Sequence, residues 1–97
     1  MTELDQIVDQ LRAMGARRII LFGSRARGQL RRESDIDLLV IMDDGRTFKE
    51  RMRDIYTHLE TDADVDILAY SPEEFERIRS RSFFRRILAE GVVLYEA

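Results

Sequence analysis

Leu4, Ile7, Val8, Leu11 and Met14 recur at helical spacing, with acids and glutamines between them. Thr2 is placed to cap this helix, Glu3 and Asp5 suit its first turn, and Gly15 marks its stop. Residues 18–22 form an apolar run that predicts a short buried strand ending at Gly23. Residues 24–27 predict one helical turn, and 28–34 a polar loop. Residues 35–42 predict a second strand, closed by turn chemistry at 43–45. An amphipathic helix follows over 47–59, with Phe48, Met52, Ile55 and Leu59 inward. Residues 64–70 predict a third strand. Ser71 then caps a helix whose first position is Pro72. A further helix over 83–89 closes at Gly91, and 92–95 predict a terminal strand. This alternation predicts an α/β fold (an α+β sandwich), with helices packed on a small mixed sheet. Residues 1–97 are expected to be one domain. The pattern does not encode strand order.

Composition narrows the function. Apolar residues make up 44% of the chain and charged residues 36%, which suits a folded domain rather than a disordered one. The net charge of -3 lacks the basic excess of a general nucleic-acid binder. With no cysteine and one histidine, disulfide staples and zinc clusters are excluded. No apolar run approaches the roughly 20 residues of a membrane span, and the acidic N-terminal helix does not read as a signal peptide. A cytoplasmic location is the expectation.

The chemistry concentrates at two places. Gly23 permits a sharp turn and close backbone approach to a ligand. Ser24 follows with an amide and a hydroxyl at the expected start of the 24–27 helical turn, a natural phosphate seat. Arg25 and Arg27 lie near enough to neutralise a triphosphate. Ten residues separate Ser24 from Asp35-Ile36-Asp37. Alternate strand side chains share a face, so Asp35 and Asp37 point together, about 6.6 Å apart along the strand. Two such acids beside a core repel and resist desolvation unless a cation joins them. Oxygen ligands without His or Cys favour magnesium, with manganese as the alternative. Asp66 lies between Val65 and Ile67 in the third strand and completes the site if the two strands are neighbours. Asp64 is the rival, nearer the loop. The bland alternative is that Asp35 and Asp37 solvate a strand edge beside an ordinary glycine turn.

These residues resemble the minimal nucleotidyltransferase family of the polymerase-beta-like nucleotidyltransferase superfamily. The resemblance rests on Gly23-Ser24, on Asp35-Ile36-Asp37 after a ten-residue gap, and on Val65-Asp66-Ile67-Leu68. It implies the nucleotidyltransferase fold and a two-metal transfer of a nucleoside monophosphate, AMP from ATP being the expected case. Asp35, Asp37 and Asp66 take the catalytic and metal-ligand roles, with two Mg2+ ions expected. Gly23 and Ser24 take the phosphate-binding role. The resemblance also implies a HEPN-type helical toxin as partner, in a hetero-oligomer where this chain is the antitoxin and the toxin offers the acceptor hydroxyl. The chain's small size agrees, since it leaves almost no surface to hold an acceptor. The competing reading is a non-catalytic antitoxin that neutralises by covering its partner. Transfer to a small molecule or to RNA is a third.

Other residues read more plainly. Arg77, Arg79, Arg81, Arg85 and Arg86 form a solvated helical face or else a docking surface for a partner or a nucleotide. His58 reads as a surface helix residue. Phe83 and Phe84 read as core, with one of them exposed. Tyr56, Tyr70 and Tyr95 read as packing residues, and Met14, Met42 and Met52 as core filler.

Overall fold

The computed structural model describes residues 2–23, 26 and 36–97. The expected helical turn and loop over 24–34, and Asp35, therefore lie outside the described residues, Ala26 excepted. In order, the described residues form α1 (Glu3–Ala13), β1 (Ala16–Phe22), β2 (Ile36–Met42), α2 (Phe48–His58), β3 (Val65–Tyr70), α3 (Pro72–Ile78), α4 (Ser82–Glu90) and β4 (Val92–Glu96).

Three helices start where a hydroxyl can cap them. Thr2, Thr47 and Ser71 each accept from the amide three residues on, and Asp5, Glu50 and Glu74 reach back to the cap amides. Gly15, at φ +105°, ends α1 in a conformation that other residues adopt at a cost.

The sheet order is β3-β2-β1-β4. β1 runs antiparallel to β2 and β4, whereas β2 and β3 are parallel, so the sheet is mixed. Strand alternation builds two cores. Ile7, Leu11 and Ile55 of α1 and α2 pack on Ile19, Leu21, Leu38, Val40 and Ile67. Phe75, Phe84 and Ile87 of α3 and α4 pack on Ile20, Leu39 and Ile41 from the other side. The central β2 is buried on both faces, which explains its unbroken apolar run.

The outer edge of β3 is closed by side chains of α2. The Ile67 amide donates to the Tyr56 hydroxyl at 2.8 Å, and that hydroxyl contacts the Val65 carbonyl at 3.4 Å. The Ala69 amide meets Met52 Sδ at 3.4 Å, and Arg51 Nη1 donates to the Ala69 carbonyl at 3.1 Å. Backbone groups that would template a foreign strand are thereby occupied. At the opposite edge, β4 is five residues long and its register with β1 shifts between Ile19 and Ile20.

Phe48 and Tyr56 depart from expectation, whereas Phe83, Phe84, His58 and Tyr95 follow it. Phe48 was expected inward, but it is 37% exposed and stacks on Tyr70 at 5.1 Å instead of entering the core. Arg51 takes the inward place and is 1% exposed. Phe84 is buried and Phe83 is half exposed. His58 is exposed, with Nδ1 2.9 Å from the Asp54 carbonyl. Tyr56 is exposed too, and contributes chiefly through its hydroxyl. Tyr95 packs beneath the Arg12 guanidinium, 4.5 Å from its ring centre. The arginines of α3 and α4 are exposed, and Arg79 pairs with Glu76 at 2.8 Å.

Arg51 and the capping carboxylates make stability depend on acid. Burial pushes the Glu74 carboxyl up, but hydrogen bonds from the Ser71 amide and Arg51 outweigh it and hold it below its ordinary 4.5. Thr2 and Thr47 amides lower Asp5 and Glu50 in the same way. Below the ordinary value the unfolded chain therefore binds more protons than the folded one. The contribution is complete above about pH 4.5 and is lost as pH falls through the lower native values. The urea midpoint should be flat in mildly acidic buffer and fall below about pH 4.5, with a shallower fall for Glu74→Gln. An acid limb identical in both proteins would contradict this origin.

Candidate active site

The site is built where β1 ends and β2 and β3 begin. Phe22 is the register partner of Asp37 on β2, and Asp37 is the register partner of Asp66 on β3. Residues paired this way point to one face, so Phe22, Asp37 and Asp66 form a row across three strands. Their neighbours along the strands, Leu39, Leu68 and Ile20, place this row on the α3/α4 face. Asp37 is half-buried and Asp66 is exposed.

Gly23 closes the end of the row. Its φ is +78°, a region that disfavours side chains. A Cβ built on it would run into Asp37 Oδ2 and lie 3.2 Å from Asp37 Cγ. The absence of a side chain thus makes room for the carboxylate. Glycine is needed here for backbone conformation and for space alike.

The loop before β3 is anchored from two sides. The Gln10 side chain donates to the Glu60 carbonyl and accepts from the Glu60 amide, both at 2.7 Å. The Ile36 amide donates to the Asp64 carbonyl at 2.9 Å. These bonds fix the start of the parallel ladder that sets Asp66 beside Asp37. Asp64 precedes the strand, and its backbone is engaged in that first rung.

Of the residues expected to form the site, the structure brings together Gly23, Asp37 and Asp66. Ser24, Arg25, Arg27 and Asp35 lie outside the described residues. Among the described residues no group of three acids, histidines or cysteines forms a metal cluster, Asp35 not being among them. Two oxygen donors on adjacent strands, on one face beside a glycine turn, fit a hard divalent cation by donor type.

Phe83 and Glu90 were not expected to adjoin this site, while Arg86 belongs to the stretch read as a solvated face or a docking surface for a partner or a nucleotide. With Phe22, Gly23, Ala26 and Ile87 they line a cavity of about 170 Å³ at the end of β1. The available signal was their spacing: 83, 86, 87 and 90 recur on one helical face.

A two-faced α/β sandwich with paired strand acids beside a glycine turn defines a nucleotidyltransferase. Residues 5–97 match the family "Polymerase beta, Nucleotidyltransferase", and the chain belongs to it. Two proteins of Methanocaldococcus jannaschii, each named "Putative protein adenylyltransferase", are similar. One is 38% identical over 81% of this chain and 78% of its own length. The other is 36% identical over 77% and 75%. Among solved structures, a chain of a toxin–antitoxin complex with AMP-PNP is 26% identical, with a TM-score of 0.66 over 100% of this chain and 75% of that one. A Sulfolobus solfataricus protein whose structure is named "putative nucleotidyltransferase" shares the fold at a TM-score of 0.68 and 21% identity, over 97% and 78%. Among the described residues, no helix is long and apolar enough to cross a membrane.

Proposed function

We propose that this chain is a metal-dependent protein adenylyltransferase, acting as the antitoxin of a toxin–antitoxin pair. The observation that carries the reading is the Asp37–Asp66 register pair, with the Asp37 carboxylate filling the space left by Gly23. The "protein adenylyltransferase" relatives and the toxin–antitoxin structure with AMP-PNP favour ATP as donor and a protein as acceptor.

In this reading Gly23 and Ser24 receive the triphosphate, and Arg25 and Arg27 offset its charge. Asp35, Asp37 and Asp66 would hold divalent magnesium, which when bound polarises phosphoryl oxygens and offsets the charge of the departing pyrophosphate. Asp66 accepts the proton of the acceptor hydroxyl. The acceptor oxygen forms a bond to the α-phosphorus as the bond from that phosphorus to pyrophosphate breaks. AMP remains on the acceptor. The acceptor surface comes from a helical HEPN-type toxin in a cytoplasmic hetero-oligomer.

The test is to incubate the chain with α-labelled ATP, magnesium and the protein of the adjacent open reading frame. Label should appear on that protein and disappear with chelator. Absence of label under all metal conditions would reject transfer. The likeness to a toxin–antitoxin chain also supports a second reading, neutralisation by binding alone. Full neutralisation by an Asp35→Asn, Asp37→Asn double variant would favour it.

A further inference from the structure

The face that α4 turns toward the end of β1 has a composition that solvation does not explain. Ile87 is buried there, yet Phe83 is 50% exposed. The Phe83 ring is held edge-on by Phe22 at 5.9 Å and by Phe84 at 5.1 Å, with interplanar angles of 89° and 82°. A large aromatic ring fixed in place yet open to solvent is a preorganised stacking surface. Beside it stand Arg86 and Glu90, both exposed and one helical turn apart on the same lining.

Position gives this cavity a role. Phe22 and Gly23 form its wall, and Phe22 is the register partner of Asp37. The cavity, Asp37 and Asp66 thus follow one another across the sheet, in steps of one strand spacing, about 4.8 Å. A ligand with its phosphates at Gly23 and Asp37 has its remaining end free to turn toward α4. At about 170 Å³ the space is below the 300–1,000 Å³ of pockets that take a whole drug-sized ligand. It suits a flat heterocycle rather than a complete nucleotide. Its lining is apolar at Phe22, Ala26, Phe83 and Ile87, and carries the opposite charges of Arg86 and Glu90.

We propose that this cavity receives the nucleobase of the nucleotide substrate, with Phe83 as the stacking platform and Arg86 as a cation at its mouth. The inference rests on the nucleotidyltransferase reading and adds the residues that hold the base. Stacking on an aromatic ring tolerates any base, because every base has a π-face. Phe83 therefore supplies affinity for a base over none, and little discrimination among bases.

The test compares two probes by calorimetry on the full chain with magnesium: a non-hydrolysable ATP analogue and inorganic tripolyphosphate. Phe83→Ala should weaken the ATP analogue about tenfold, or about 1.4 kcal/mol, and leave tripolyphosphate within about twofold. Phe83→Leu keeps the apolar bulk and removes the ring. It should lose affinity in the same selective way, which covers the case of a poorly folded alanine variant. Phe83→Tyr should bind like the parent. Unchanged ATP-analogue affinity in both Phe83→Ala and Phe83→Leu overturns the inference, as does equal loss for both probes. A rise only in the KM for the protein acceptor would also overturn it, giving the cavity to the acceptor. If the unaltered chain binds neither probe, the nucleotidyltransferase reading fails and takes the inference with it.

Discussion

Asp37→Asn is expected to lower nucleotide transfer by about 10²- to 10³-fold, or about 2.7–4 kcal/mol, while the chain remains folded. The substitution keeps shape and removes charge at the centre of the row formed by Phe22, Asp37 and Asp66. Asp66→Asn should cost a similar factor, because the parallel register makes the two carboxylates neighbours. Asp64→Asn should change transfer by less than about threefold, its side chain standing before the strand. Gly23→Ala should reproduce much of the loss without altering any charge. Its methyl group takes the space of the Asp37 carboxylate, and its φ of +78° is unfavourable for alanine. Transfer rates measured with labelled ATP and the cognate protein, beside circular dichroism of each variant, decide the matter. If Asp64→Asn were as damaging as Asp66→Asn, the assignment of the third acid would be wrong.

The largest loss of stability is expected at Arg51. Its guanidinium is 1% exposed. Nε donates to Asp44 at 3.1 Å, Nη1 to Glu74 at 2.7 Å and to the Ala69 carbonyl at 3.1 Å, and Nη2 to the Arg46 carbonyl at 2.7 Å. One side chain thus joins α2, the 43–47 turn, the edge of β3 and the first turn of α3. Burial alone would weaken its charge, but the bonds to Glu74 and Asp44 raise its pKa above the ordinary value. Arg51→Met fills the space and strands those acceptors. Breaking one side of a buried ion pair costs about 3–5 kcal/mol. At about 4–8 °C per kcal/mol for a domain of this size, the Tm should fall by more than about 12 °C. Arg51→Lys should recover only part of this, since an ammonium cannot reproduce the planar fork. A cycle of Arg51→Met with Glu74→Gln should show coupling, because the Glu74 oxygen that accepts from Arg51 also accepts from the Ser71 amide at 2.8 Å. A Tm within about 3 °C of the parent would show that the network adds little.

Arg51 also shows where residue type conceals a position. Residue 51 lies three after Phe48 and four before Ile55, so helical spacing alone puts it on the inward face. Its charge argues the opposite, and Phe48 reads as the core residue instead. The structure reverses the two. Four acceptors from three separate segments make the buried guanidinium tolerable, while Phe48 finds Tyr70 at the surface. The acceptors lie 5 to 23 residues away, and no local pattern marks them.

The candidate site divides in the same manner. The Gly-Ser turn and the Asp-x-Asp alternation are local, and both are legible as chemistry. The choice between Asp64 and Asp66 is not, because alternation places both on one face. Only the pairing of β2 with β3, in parallel and in a particular register, sets Asp66 beside Asp37. The cavity under α4 likewise exists only because α4 packs across the end of β1. Gly91 permits that approach: a Cβ there would lie 2.5 Å from Ile20 Cγ2 and from the Ile87 carbonyl.

The chain's sequence determined its elements, their caps and the chemical character of the site. Those depend on hydrogen bonds and hydrophobic periodicity spanning a few residues, which order alone specifies. Tertiary structure decided the strand order, the pairing of Asp66 with Asp37, the burial of Arg51 and the cavity beside Gly23. Each of these requires groups far apart in sequence to meet, and which groups meet is fixed when both faces of the sheet are covered and its backbone is paired.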